Sequence, residues 1–365
     1  MWIKRLAQRI AQPIDPWLLL FSLLLICVSL ATIYSASNES VAKVTSKLVS
    51  VGVALVAMWL VANLKPQKLM ALAPPIYLVG LVLLVGVALF GDITNGARRW
   101  LDIGVARIQP SELMKLAVPM MLAWYFERHE ANLRFKHFGV AALLIALPMA
   151  LVLKQPDLGT ALLIAAAGFY ALFFAGLPWR VMAGMLVVFL CSLPVVWSHM
   201  HEYQRQRVMT LIDPMTDPLG KGYHTIQGMI AIGSGGVMGK GWLSGTQTHL
   251  DFIPERTTDF IFAVYSEEFG MLGNCILLIL FLCVIGRGLI IANNASSVFG
   301  RLLAGALTLS FFTYAMVNMG MVSGILPVVG VPLPLVSYGG TAMLSILIGF
   351  GMLMAIQRDR KLMKN

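Results

Sequence analysis

The sequence predicts an all-α protein that crosses a membrane about ten times, with both ends on the cytoplasmic side and a large outer loop between the seventh and eighth crossings. Three observations carry this reading. Apolar residues make up 58% of the 365 and charged residues 12%, with a mean hydropathy of +0.81; a soluble domain carries about twice that share of charge. Apolar runs long enough for a bilayer's hydrocarbon core recur along the whole chain. Lys and Arg, finally, fall unequally between the connections on the two sides.

The first run, about 16–36, follows Lys4, Arg5 and Arg9 and has full spanning length, so it reads as a retained helix rather than a cleaved signal. The others lie at about 47–64, 69–90, 111–126, 138–154, 157–175, 179–198, 259–284, 299–323 and 335–356. An even number of crossings puts both termini on one side. That side holds Lys65, Lys68, Arg128, Arg134, Lys136, Arg180, Arg287, Arg301 and the terminal cations, against Lys43, Lys47, Arg98, Arg99, Arg107 and Lys154 opposite. The excess marks the cytoplasm. Residues 1–365 form a single integral membrane domain.

Three outer connections differ in character. Residues 91–110, GDITNGARRWLDIGVARIQP, are a polar re-entry. Residues 199–258 form the largest loop, with turn signals at Asp213-Pro214, Asp217-Pro218 and Gly220-Lys221-Gly222. Residues 324–336 are rich in Pro and Gly and carry no charge. The inner connections are short and basic, so chemistry is expected to face outward.

Several function classes drop out. The net charge of +10 comes without a basic stripe interleaved with aromatics, so nucleic acid is not a partner; cytoplasmic retention of positive charge explains it. Cys27, Cys191, Cys275 and Cys283 all lie in apolar runs without ligand spacing and read as small core hydrophobes. No Cys/His cluster suggests zinc, and no Ser-His-Asp arrangement is apparent. The Gly-rich run 228–242, GMIAIGSGGVMGKGW, has Gly241 where a phosphate-binding Walker loop needs Ser or Thr. It reads as a re-entrant or interfacial turn, with phosphate cradling by its amides as the alternative.

What remains are charges a membrane segment should not hold without use. Asp259 closes the run Pro254-Glu255-Arg256-Thr257-Thr258-Asp259-Phe260 and stands at the mouth of the eighth crossing. Glu112 and Lys115, at i and i+3, share a helix face and can pair; they either fix helix packing or line a polar cavity. Asp157 after Gln155-Pro156 is an N-cap, a cavity-mouth carboxylate, or both. Glu267 lies eight residues after Asp259 and is expected to share its groove, whereas Glu268 needs a partner on another helix. Arg98, Arg99, Arg205 and Arg207 are either solvated loop charges or diphosphate ligands. Glu255 either contributes to the site or pairs with Arg256 to hold the loop. Any metal would be a hard divalent cation held by carboxylates and substrate phosphates, with Asp259 a candidate ligand.

Five motifs in order, NGARRWLDIG (95–104), QPSELMKLA (109–117), KQPDLGTA (154–161), PERTTDFIFAV (254–264) and LPLVSYGGTAML (333–344), resemble the SEDS family of cell-shape and division proteins. The length and short N-terminus resemble its elongation branch. The resemblance implies a peptidoglycan glycosyltransferase that polymerises lipid II, an undecaprenyl-diphosphate-linked disaccharide, at the outer face of the bacterial cytoplasmic membrane. It maps the family's essential aspartate onto Asp259. It also implies a class B penicillin-binding protein as partner, in an elongation complex with MreC and MreB. Members commonly carry His two residues before that aspartate, where this chain has Thr257. Asp259 is then expected as general base, or as ligand of a Mg or Mn ion, with Glu112, Lys115 and Asp157 shaping the cavity and Arg98 meeting diphosphate. A lipid II flippase and a non-catalytic scaffold for the transpeptidase are the alternatives.

Overall fold

The computed structural model describes residues 12–94, 97–102, 107–200, 205, 208–211, 213, 215, 222–250, 252, 253 and 255–363. Each of the ten apolar segments is helical. In order these are α1 Pro16–Ala36, α2 Val41–Ala62, α3 Pro66–Phe90, α4 Pro110–His129, α5 Phe135–Lys154, α6 Leu158–Phe174 and α7 Trp179–His199. Two short helices follow within the large connection, α8 Tyr223–Ser234 and α9 Thr246–His249, and then α10 Ile261–Asn293, α11 Val298–Val322 and α12 Gly340–Met363. Among the described residues, seven helices (α1, α2, α3, α5, α10, α11 and α12) are long and apolar enough to cross a membrane by length and composition. The chain is a multi-pass membrane protein.

One element departs from the all-α expectation. The re-entry after α3 pairs as a small antiparallel meander, β1 Asp92–Thr94, β2 Ala97–Asp102 and β3 Arg107–Ile108, with Ile93 opposite Arg98 and Leu101 opposite Ile108. Asn95-Gly96 and Gly104 are turn signals in the sequence that do not favour a continued helix.

Helix α4 falls short of a lipid-facing span because Glu112, Lys115, Glu127 and Arg128 lower its hydropathy. Its position explains this. It packs against α3, α5, α6, α11 and α12, and Glu112 and Lys115 are both buried. Protein rather than lipid surrounds it, so polar groups find partners. Helices α11 and α12 complete this interior, while α2, α3 and α5 present apolar faces outward. The cysteines correct the expectation made for them: Cys27, Cys191 and Cys275 are exposed on such outward faces and Cys283 is half-buried.

At one end, Asp15 caps α1 by accepting from the Leu18 amide at 3.0 Å and also takes a two-pronged ion pair from Arg287. Arg287 therefore belongs to α10, which runs on past the predicted boundary, and not to a connecting loop.

Helix α10 is broken. Gly270 adopts φ 64°, ψ −160°, a conformation essentially confined to glycine. The break frees carbonyls and amides that a membrane interior cannot leave unpaired. The Gly-rich run supplies the partners: the Lys240 and Gly241 amides donate to the Glu267 and Glu268 carbonyls at 3.0 Å each, and the Met271 and Leu272 amides donate to the Gly236 and Val237 carbonyls at 2.9 and 3.1 Å. With these amides and that of Gly239 already bonded, the run is a structural splice and not a phosphate cradle.

Candidate active site

Asp259 sits in the turn just before α10, half-buried. The turn is built from its own residues. Glu255 has φ 49°, and its carbonyl accepts from the Thr258 amide at 3.0 Å and the Phe260 amide at 3.2 Å, while its carboxylate accepts from the Thr258 hydroxyl at 2.9 Å. Arg256 donates to the Thr248 carbonyl. The Glu255–Arg256 pairing offered as one reading is therefore replaced by two separate anchors, one local and one to α9. Pro254 lies outside the described residues.

The Pro/Gly-rich connection between α11 and α12 returns to this turn. The Tyr338 amide donates to the Thr257 carbonyl at 2.8 Å, the Ser337 hydroxyl to the Thr258 carbonyl at 2.6 Å, and the Asn318 side-chain amide to the Asp259 carbonyl at 2.9 Å. Gly330 underlies the carboxylate: a Cβ there would stand 3.4 Å from Asp259 Oδ2. Its φ of 72° is one that glycine adopts without strain.

Asp157 stands at the start of α6, which packs on the same connection. It caps α6, accepting from the Thr160 amide at 3.1 Å and hydroxyl at 3.0 Å. Gly159, two residues on, packs so closely that a Cβ would meet the Val329 carbonyl at 2.8 Å. The start of α6 thus packs on the same short stretch, Val329–Val331, that carries Gly330.

Glu112 and Lys115 form the predicted ion pair at 2.6 Å. Ser345 of α12 donates to the second Glu112 oxygen at 2.9 Å, and Lys115 Nζ lies 4.8 Å above the Tyr314 ring of α11. Tyr314 in turn has Asp157 as a charged neighbour and packs with Val331. The Glu112–Lys115 pair therefore meets Tyr314 directly, through Lys115, while Asp157 is linked to it electrostatically. The helix cap and the ion pair both exist, and both are buried.

Glu267 and Arg205 end differently from expectation, and Glu268 as expected. Glu267 does not share a groove with Asp259. It is fully buried and takes Lys240 at 2.7 Å, the Thr246 and Thr248 hydroxyls and the Gln247 and Thr248 amides, so it ties α9 and the Gly-rich run to α10. Asp259 precedes the helix, so helical spacing does not relate the two. Glu268 finds its partner on another helix, the Ser35 hydroxyl of α1. Arg205 caps α7, donating to the Trp197 and Ser198 carbonyls at 3.0 and 2.9 Å. The backbone of Arg98 is in β2, but its side chain and that of Arg99 lie outside the described part, as does Arg207.

The structure adds residues that the charge-based reading passed over. Lys47, counted with the loop cations, is 1% exposed and donates to the Ser337 carbonyl at 2.7 Å. Tyr314, Asn318, Ser337 and Ser345 are the others. The available signal was a lone amide or hydroxyl within an apolar run, which marks burial but not a partner. Among the described residues no three or more His, Cys, Asp or Glu side chains gather as a metal cage.

A polytopic helical membrane protein, with an aspartate at a helix mouth and a buried carboxylate–ammonium pair between its helices, is the class that fold and site define. The family model described as "Cell cycle protein", that of FtsW, RodA and SpoVE, matches residues 14–362, and the chain belongs to this family. The peptidoglycan glycosyltransferase MrdB of Escherichia coli K12 is 50% identical over 351 residues, 96% of this chain and 95% of that protein. The peptidoglycan glycosyltransferase RodA of Treponema pallidum is 30% identical over 94% of this chain and 97% of its own. Among solved structures, a chain from a peptidoglycan synthase complex that coordinates polymerization and crosslinking superposes with TM-score 0.83 at 31% identity, covering 95% of this chain and 98% of that one. The rod shape determining protein RodA of Thermus thermophilus gives TM-score 0.73 at 28% identity, covering 95% of this chain and 97% of its own.

Proposed function

We propose that this protein is a peptidoglycan glycosyltransferase of cell elongation, polymerising lipid II with inversion at the anomeric carbon. The observation that supports it best is the placement of Asp259: half-buried, held through its backbone, with its carboxylate beside Gly330 at the mouth of α10. A carboxylate so placed can take the proton from an acceptor sugar hydroxyl as it attacks. The bond from anomeric carbon to diphosphate oxygen breaks as the new glycosidic bond forms, so a single displacement inverts the centre and needs no second carboxylate nucleophile. Glu112, Lys115 and Asp157 hold the shape of the cavity wall. Arg98 is the diphosphate contact, by its place in the motif NGARRWLDIG.

A Mg or Mn ion would be carried on the substrate diphosphate with Asp259 as its protein carboxylate, since among the described residues no three or more His, Cys, Asp or Glu side chains form a cage. Bound there it would offset the leaving group's charge. The ten helices cross the cytoplasmic membrane with both termini inside, so that the Asp259 turn faces outward. The partners are a class B penicillin-binding protein, whose transpeptidase activity crosslinks the product, and an elongation complex with MreC and MreB.

The test is polymerisation of purified lipid II, with and without the transpeptidase and with a divalent-cation titration. Asp259→Asn should remain folded and membrane-inserted and lose polymer formation by at least about a hundredfold. Normal polymerisation by that variant rejects Asp259 as base. Transbilayer movement of lipid II without polymer by the wild type indicates a flippase, and neither activity indicates a scaffold.

A further inference from the structure

Three consecutive carbonyls, those of Thr257, Thr258 and Asp259, are each captured by a donor from a distant part of the chain: the Tyr338 amide, the Ser337 hydroxyl and the Asn318 side chain. We infer that this rack of donors sets the position of the Asp259 carboxylate, and that Asn318 is its principal positioning residue. The inference rests on the reading of Asp259 as the base of the polymerase.

Asn318 is fully buried on α11, one turn beyond Tyr314. Its Nδ2 donates to the Asp259 carbonyl at 2.9 Å and to the Val331 carbonyl at 2.7 Å. Both partners are acceptors, so only the NH2 end of the amide can face them. One side chain thereby fixes the backbone of Asp259 against the backbone beside Gly330, the residue under the carboxylate. The Oδ1 atom of Asn318 is buried and has no hydrogen-bond partner among the described residues. An apolar residue would avoid that unpartnered oxygen but would leave the Asp259 and Val331 carbonyls without this donor. The amide is placed by the two carbonyls it holds together.

The rest of the rack is braced in the same way. The Ser337 hydroxyl, while donating to Thr258, accepts from the Leu333 amide at 2.7 Å, which closes the turn that presents it. The buried ammonium of Lys47 holds the Ser337 carbonyl at 2.7 Å. Four separate segments, α2, α11, the connection before α12 and the turn before α10, thus meet at the backbone of the proposed base. None of these donors reaches its carboxylate, so their effect on the reaction passes through its placement.

The test measures kcat and KM for lipid II polymerisation per folded molecule, for wild type, Asn318→Leu, Ser337→Ala and the control Thr308→Val. Thr308 is buried on the same helix and donates only within it, at 2.7 Å to Ala304. Asn318→Leu should lower kcat about ten- to a hundredfold with KM near wild type, the signature of a base displaced by a fraction of an ångström. Ser337→Ala, a smaller change that serves if the Leu variant does not fold, should lower kcat severalfold in the same way. Thr308→Val should change melting temperature without changing kcat. Wild-type kcat in the folded Asn318 and Ser337 variants, or a raised KM with kcat unchanged, overturns the inference. An inactive wild type instead overturns the polymerase reading on which it stands.

Discussion

At the scale of single residues, His224 shows how the turn around Asp259 responds to pH. It lies on α8, outside the membrane-spanning helices, with its ring 5.8 Å from that of Phe260, the residue after Asp259. Burial pushes its pKa below the ordinary imidazole value, and the Glu255 carboxylate draws it partly back. The folded protein thus favours neutral His224. Its contribution to stability is complete above the unfolded-state pKa of about 6.5 and declines as pH falls below it, because the unfolded chain then binds more protons. His224→Phe keeps the ring contact and removes the titration. Melting temperature measured between about pH 7 and pH 5 should fall less steeply for that variant than for the wild type. Equal slopes would show that His224 is not the group responsible. The residue-level legibility of the site was uneven. Asp259 stood out because a carboxylate next to an apolar run is costly unless used. Lys47 did not, because a lysine at the edge of such a run looks like a loop cation until α2 is seen to begin six residues earlier, at Val41, with Ser40 as its cap.

At the scale of elements, the break in α10 and the Gly-rich run behave as one unit. Gly270 could not carry a Cβ: it would stand 2.3 Å from the Gly239 amide nitrogen. Gly239, at φ 80°, would place one 2.1 Å from the Glu268 carbonyl oxygen. Gly270→Ala and Gly239→Ala should each destabilise the protein by at least about 1–3 kcal/mol from backbone strain alone. Because both disrupt the same splice, the double variant should lose less than the sum of the two. Thermal unfolding in detergent measures this, and strict additivity would mean that the two glycines act independently. Neither the break nor the splice was readable beforehand. The segment reads as one helix through Glu267, Glu268 and Gly270, and an isolated glycine in a helical pattern is ordinarily tolerated. The end of the final connection differs for a related reason: Leu335–Tyr338 are apolar enough to extend α12, but the Tyr338 amide and the Ser337 hydroxyl are engaged with the Thr257 and Thr258 carbonyls and the helix starts at Gly340.

At the scale of the whole molecule, the Glu112–Lys115 pair with Tyr314 and Ser345 joins α4, α11 and α12 at the centre. Removing one charge leaves the other buried and uncompensated. Lys115→Met should therefore cost about 3–5 kcal/mol, while the double variant Glu112→Gln, Lys115→Met should recover much of that loss. Melting temperatures of the single and double variants in detergent decide it, and a double variant no more stable than Lys115→Met would contradict a pair held by mutual compensation.

The sequence by itself determined the quantities that depend on composition and on short spacing. These are the membrane environment, the ten helical segments, the i, i+3 pairing of Glu112 with Lys115, the capping role of Asp157 and the singular position of Asp259. Tertiary structure alone decided which distant segments meet. Asn318 reaches the Asp259 carbonyl across 59 positions, Lys47 reaches Ser337 across 290, and Glu267 turns inward to Lys240 although spacing along the chain pointed it toward Asp259. The physical reason is that periodicity and caps act within a few turns of one helix, whereas the partner of a buried amide or ammonium is set by how whole helices pack.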